Sequence, residues 1–310
     1  MSNHRGTGQK IIVLAGPTAS GKSEIAMHVA RSLPIEIVCA DARTIYRGLT
    51  IGTAKPSHED QVRVPHHCID ILEPDQTYTA SMFATEAHRV LAGIPTGSTG
   101  VVVGGSGFYI KALIDGLSEG IVDTPDDVRI ALTDEFASRG KEAMYDELMR
   151  VDQRAAEQYA DKNPRRVQRA LEYYRATGEK LSLTWEKPRC AGAYDVVFVA
   201  VHRERDELRQ RIAERCAAMW DQGLLRETEQ LLESGISLNA QSLQTVGYKQ
   251  ALDVLFGRSV LAVAQQEMFN ATWQYAKRQL TWLRKDLRYT WISGSAEQCA
   301  NDILQKHHER

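Results

Sequence analysis

The sequence predicts an α/β protein: a parallel β-sheet flanked by helices, with an all-helical domain inserted into it. Three observations lead there. Four short apolar, β-branched runs, at residues 10–15, 35–40, 101–103 and 196–201, have the length and composition of strands buried on both faces. The first run leads straight into a glycine loop and then an amphipathic stretch, the strand–loop–helix order of a βα unit. Between 117 and 193 the pattern turns helical, and the fourth strand comes only after that block. Residues 117–193 therefore read as an insertion that splits a core made of 1–116 and 194–310.

The loop after the first strand is Gly16-Pro17-Thr18-Ala19-Ser20-Gly21-Lys22-Ser23, a full match to GxxxxGK[ST]. Ile25, Ala26, Val29, Ala30 and Leu33 then share one helical face, so the sheet is expected to be P-loop NTPase-like. Backbone N–H groups of such a loop wrap a phosphate, and the helix N-terminus adds partial positive charge. Lys22 adds a full charge, and the Ser23 hydroxyl can hold Mg²⁺. The motif specifies a di- or triphosphate but not the group that is transferred.

The second strand ends in Asp41, which a doubly wound sheet would direct toward the phosphate loop. Asp41 can be an indirect Mg²⁺ ligand, a general base aimed at an acceptor, or a cap of the next turn. The third strand runs into Gly104-Gly105-Ser106, small residues that admit a ligand closely, with a hydroxyl that can donate to phosphate. The helix after the fourth strand carries Arg205, Arg209, Arg211 and Arg215 among Glu204, Asp206, Glu207 and Glu214. That mixture reads as a solvated, salt-bridged face from which one or two arginines reach a leaving phosphate.

In the insertion, Asp126 and Thr133 sit at helix starts, and Gly140 and Gly178 at stops. Residues 163–169 hold three arginines and no acid, a solvated face or an RNA contact. The C-terminal part reads as helical, broken at residues 244–249. Beyond 272, Trp273, Tyr275, Trp282, Tyr289 and Trp291 alternate with Lys277, Arg278, Arg284, Lys285 and Arg288. Such interleaving can serve single-stranded nucleic acid, but core aromatics covered by long basic side chains are the stronger reading.

The composition bounds the function. The 310 residues carry 38 basic and 40 acidic side chains, a net charge of −2 that excludes a general nucleic-acid-coating protein. Cys39, Cys68, Cys190, Cys216 and Cys299 are far apart, so neither a zinc site nor a disulfide framework is indicated. No apolar run approaches the ~20 residues of a membrane span. The polar start leads to an apolar stretch too brief for a signal peptide, and a cytoplasmic enzyme is expected.

Seven segments resemble the tRNA dimethylallyltransferase (IPP transferase) family: GPTASGKS at 16–23, ADARTIYRGLTIGTAKP at 40–56, VPHHCIDILEP at 64–74, VGGSGFYIKAL at 103–113, PRRVQRALE at 164–172, TVGYKQ at 245–250 and AKRQLTWLRK at 276–285. The resemblance implies that dimethylallyl diphosphate, not ATP, occupies the loop of Gly16, Pro17, Thr18, Ala19, Ser20, Gly21, Lys22 and Ser23. It makes Thr18, Lys22 and Ser23 holders of the diphosphate and Mg²⁺, and Asp41 the base toward the exocyclic amine of an adenine. Ser106, where the family usually has Thr, and Arg215 would steady the departing diphosphate. The resemblance also implies contacts to a tRNA anticodon stem-loop from Asp41, Ala42, Arg43, Thr44, Ser106 and Arg129. Further contacts would come from Arg165, Arg166, Val167, Gln168 and Arg169, and from Gln244, Thr245, Val246, Gly247, Tyr248 and Lys249. Ala42 and Thr44 stand where the family usually has Ser and often Gln.

The implied product is a dimethylallyl group on N6 of adenine 37, beside the anticodon, in tRNAs that read codons beginning with U. A monomer is the implied state. The chemistry is consistent: an adenine amine is a poor nucleophile, but an allylic carbon ionises readily as diphosphate leaves, and charge then builds where the cations lie. An adenylate isopentenyltransferase and a P-loop small-molecule kinase are the alternatives. Against the first stand the insertion and the Tyr248 and 276–285 segments, and against the second the strand that ends in Gly104-Gly105.

Overall fold

A computed structural model describes residues 8–116, 125–186 and 193–309. Cys190 and the expected insertion boundary at Leu117 lie outside these residues. The chain divides into two compact units, Met1–Ile114 with Gly192–Arg310, and Asp115–Ala191.

The first unit opens with β1 (Gln9–Ala15), α1 (Lys22–Val29), β2 (Ile35–Ala40), α2 (His58–Arg63), β3 (His66–His67), α3 (Ala80–Gly93), β4 (Thr99–Gly104) and α4 (Gly107–Asp115). The second unit holds α5 (Asp126–Val151), α6 (Gln153–Gln158) and α7 (Pro164–Thr177), then a short 3-10 turn at Leu181–Glu186. The chain returns through β5 (Tyr194–Val201) to α8 (Arg205–Asp221), α9 (Leu224–Glu233), α10 (Tyr248–Leu255), α11 (Leu261–Lys285), β6 (Thr290–Ile292) and α12 (Ala296–His308).

The strands form one parallel sheet in the order β3-β2-β4-β1-β5-β6. β1 lies between β4 and β5, and its Ile11, Ile12, Val13 and Leu14 are fully buried. Burying each such side chain contributes about 1.5–3 kcal/mol. On one face α1 and α12 pack through Ile25, Ala26, Val29, Cys299, Ala300 and Ile303. The register places Ala15 and Ala40 both opposite Gly104, so the loops that begin at Gly16, Asp41 and Gly105 leave the sheet side by side at its C-terminal edge. Ligands of open parallel sheets bind there.

Two strands were not expected from the sequence. β3 has two residues and β6 three, too few to show a periodicity, and each gains its backbone partners from the neighbouring strand. β6 corrects the reading of the C-terminal part as helical: α11 ends at Lys285, so Tyr289 and Trp291 are not on it.

In the second unit, Leu132, Met144, Leu148, Ala155, Val167 and Leu171 form the core. Gly140 interrupts α5 at φ 76° and Gly178 ends α7 at φ 73°, left-handed positions that suit glycine. Thr133 does not start a helix; it lies inside α5, with its hydroxyl donating to the Arg129 carbonyl at 2.8 Å. Asp152 caps α6 by accepting from Ala155 N–H at 3.1 Å, and its other oxygen accepts from Ser182 N–H at 2.9 Å.

Candidate active site

The loop from Gly16 to Ser23 joins β1 to α1 with Gly21 in the left-handed region at φ 91°. Its outward carbonyls are held by arginines: Arg211 Nε donates to Ala19 at 2.9 Å and Arg203 Nε to Ser20 at 3.1 Å. Arg211 therefore departs from the solvated-face reading of α8. Lys22 folds back along the loop and donates to the Pro17 carbonyl at 2.7 Å.

A cavity of about 620 Å³ opens over this loop, lined by residues 18–23 together with Asp41, Thr44, Thr53, Gly104, Gly105, Arg211, Arg215, Tyr275 and Gln279, among others. Its electrostatics call for an anion. Burial, aided by neighbouring Arg215, lowers the Lys22 ammonium from its ordinary 10.5 to about 7, with Asp41 opposing. Burial likewise holds the Arg215 guanidinium below its usual range, again with Asp41 opposing. Two cations crowd one carboxylate, and an added anion would relieve both. The wall also contains Ser20 Oγ and Thr44 Oγ1, buried and without a hydrogen-bond partner among the described residues.

Asp41 spends one carboxylate oxygen on its own turn, accepting from Arg43 N–H at 2.8 Å. A second cavity, of about 370 Å³, begins beside it. Thr18, Asp41, Thr53, Arg215 and Tyr275 line both cavities. The second has an apolar wall from Met219, Val246 and Met268, and polar groups from Arg43, Gln244 and Thr245. Asp41 thus stands where a phosphate chamber meets a half-apolar one.

The expected site residues of the first unit divide clearly. Thr18, Lys22, Ser23, Asp41 and Arg215 share the first cavity, and Ala42, Arg43, Gln244, Thr245 and Val246 line the second. Ser106 shares a hydrogen bond with the Tyr275 hydroxyl. Lys249 is exposed, whereas Gly247 and Tyr248 are buried. The Tyr248 hydroxyl donates to Glu227 at 2.6 Å, so that side chain shapes the loop from inside. In the second unit Arg129, Arg165 and Arg166 are exposed. Arg169 approaches Glu172 at 3.3 Å, Gln168 donates to Thr133 at 3.1 Å, and Val167 is core.

Gly104 and Gly105, at the end of β4, line the first cavity and have a packing reason besides the one expected. A Cβ on Gly104 would lie 2.1 Å from the Ala40 carbonyl oxygen, and one on Gly105 would lie 2.0 Å from Gln279 Nε2. It is the protein itself, before any ligand, that demands the missing side chains.

Among known proteins, the family model for IPP transferase matches residues 44–286. A Geobacter sulfurreducens protein named tRNA dimethylallyltransferase is 41% identical over 296 residues, covering 94% of each chain. The chain belongs to the IPP transferase family. Among solved structures, a tRNA isopentenylpyrophosphate transferase from Bacillus halodurans is 33% identical with a TM-score of 0.71, covering 97% of each chain. A eukaryotic dimethylallyltransferase, caught acting on tRNA, gives a TM-score of 0.79 at 27% identity, covering 92% of this chain and 74% of its own.

In this IPP transferase, two further residues shape the site: Glu227, which no motif marked, and Gln279, which lies in the 276–285 motif but was given no role there. Glu227 of α9 accepts backbone N–H groups of Thr50, Ile51 and Gly52 at 2.8–3.2 Å as well as the Tyr248 hydroxyl. That clamp fixes the loop whose Thr53 carbonyl receives Arg215 Nη2 at 3.5 Å. Gln279 of α11 bridges the phosphate loop and the β4 loop, as described below. A signal existed for both: each polar residue falls on the buried stripe of its helix, Glu227 beside Leu224, Thr228 and Leu231, and Gln279 beside Ala276 and Leu283. Of the interleaved aromatic and basic residues beyond 272, Lys277, Arg278, Arg284 and Lys285 are exposed, Trp273 and Trp282 are partly buried, and Trp291 on β6 is exposed, so these tryptophans are not core. No helix among the described residues is long and apolar enough to cross a membrane.

Proposed function

We propose that the chain transfers the dimethylallyl group of dimethylallyl diphosphate to N6 of adenine 37 in tRNA, acting as a monomer and releasing diphosphate. The observation that carries this reading is the position of Asp41 on the wall common to the two cavities. The diphosphate lies over the loop, among the amides of residues 21–23, Lys22 and Arg215. The carbon chain and the splayed adenine meet in the second cavity against Met219, Val246 and Met268. An anticodon loop is already largely unpaired, so turning out its base is inexpensive.

The bond from C1 to the bridging oxygen breaks with its electron pair going to diphosphate, and the N6 lone pair closes on C1. Asp41 takes the N6 proton as the new bond forms, a contribution on the order of 10²–10⁴-fold. Lys22 and Arg215 meet the charge that grows on the leaving group, and the desolvation that disfavours both cations before binding makes that stabilisation strong.

The donor set also fits Mg²⁺. Ser23 is exposed at the first turn of α1, and no group of three His, Cys, Asp or Glu that could cage a metal occurs among the described residues. The exposed Ser23 hydroxyl would hold a magnesium ion, which would supply further neutralisation of the leaving group. Arg129, Arg165, Arg166, Gln168 and Arg169 in the second unit, and Gln244 and Lys249 in the first, are the proposed tRNA contacts; Val167 is packed in the core and is not among them.

The test is mass spectrometry of tRNA incubated with the protein, Mg²⁺ and dimethylallyl diphosphate. One added dimethylallyl group, mapped to the adenine 3′ of the anticodon, is expected. Unmodified tRNA alongside hydrolysed ATP would refute the reading.

A further inference from the structure

We infer that Gln279 sets the phosphate loop for a ligand of two phosphates rather than three, an inference that rests on the diphosphate reading above. Gln279 is 7% exposed and projects from α11. Its Oε1 accepts the Thr18 N–H at 2.8 Å, and its Nε2 donates to the Gly105 carbonyl at 3.0 Å. Both ends of one amide are therefore satisfied by the backbones of two loops that leave neighbouring strands. The fit is close enough that a Cβ on Gly105 would meet Gln279 Nε2 at 2.0 Å and the Gly16 carbonyl at 2.9 Å.

A glycine loop holds phosphates with successive backbone N–H groups, so its capacity depends on how many of them remain to be donated. Here three positions of the loop have no N–H to offer. Pro17 has no N–H to give. Thr18 N–H is committed to Gln279, and Ser20 N–H turns back to the Pro17 carbonyl at 3.3 Å. The donors left to a ligand among residues 17–23 are those of Ala19, Gly21, Lys22 and Ser23. A third phosphate that takes the Thr18 N–H must displace Gln279 Oε1, which leaves that buried side-chain oxygen without its partner. Gln279 is thus a positioning and selecting residue. It fixes Thr18 against Gly105, the neighbour of Ser106, and it occupies the amide that a longer phosphate chain would use.

The experiment compares inorganic diphosphate with inorganic tripolyphosphate, in Mg²⁺, by titration calorimetry on the full-length protein and on Gln279→Ala and Gln279→Met. The wild type is expected to prefer diphosphate. Gln279→Ala frees the Thr18 amide and the space, and should shift the ratio of the two dissociation constants toward tripolyphosphate by about tenfold. Gln279→Met removes the acceptor but keeps the volume, and should shift it the same way by at least about threefold. A merely structural glutamine would weaken both ligands alike, so a ratio that moves less than threefold in the folded variants overturns the inference. Should Gln279→Ala not fold, as judged by its melting transition, the Met variant decides. A wild type that binds tripolyphosphate more tightly than diphosphate overturns the diphosphate reading itself, whatever the variants do.

Discussion

Lys22 should take up a proton when a diphosphate binds. With its ammonium lowered to about 7, roughly a tenth of the Lys22 side chains are charged in the free protein at pH 8. A bound diphosphate restores the ordinary lysine range, so binding at pH 8 draws about 0.9 proton from solution, against about 0.1 at pH 6. The organic ligand contributes little of its own at pH 8, because a phosphate ester has lost its second proton near pH 6. Since binding is linked to that uptake, Kd for dimethylallyl diphosphate should rise close to tenfold per pH unit above about 7. Calorimetry at pH 8 in two buffers of different ionisation enthalpy reads the proton count directly, and Lys22→Met provides the reference. No uptake in the wild type, or equal uptake in Lys22→Met, would refute the reasoning. The same group has a stability signature of known sign. Its folded value lies below its unfolded value of 10.5, so the unfolded chain binds more protons between about pH 7 and 10.5, and this group makes the ligand-free protein more stable as pH rises through that window.

Four further outcomes are expected. Asp41→Ala should lower kcat by at least about 10²-fold while tRNA affinity, read by filter binding, changes little; weakened binding would make Asp41 a recognition residue. Neutralising Arg165 and Arg166 should weaken tRNA binding and reduce the salt slope by about 1 for each phosphate they neutralise, and an unchanged slope would return both to an ordinary solvated face. Gly52→Ala drives a Cβ to 2.5 Å from the Tyr248 ring, so denaturant unfolding should report a loss of about 1–3 kcal/mol. Glu135 is held at about 2, chiefly by its hydrogen bonds to Arg175. Its stabilising effect is present above the ordinary carboxylate value and disappears as pH falls toward 2, so Arg175→Met should move acid unfolding of the second unit to higher pH, as followed by circular dichroism.

The sequence by itself determined the sheet strands that run through the core, the phosphate loop and the presence of Asp41 at a strand end. These are local properties: a buried parallel strand needs a continuous apolar run, and a phosphate cradle needs glycine and lysine at fixed spacing along one stretch of chain. The helices between β4 and β5 were legible for the same reason, in a switch of period along the chain. Tertiary structure alone decided what faces that loop. Gln279 and Thr18 are 261 residues apart, and Glu227 reaches Ile51 across 176, so no spacing rule links them. It also decided the purpose of Gly104 and Gly105, whose missing side chains make room for Ala40 and Gln279, and the inward turn of Tyr248. The short edge strands β3 and β6 exist only because β2 and β5 offer them hydrogen bonds. A chain shows which chemical groups it possesses, but the walls of a cavity are drawn from many elements, and only packing brings them together.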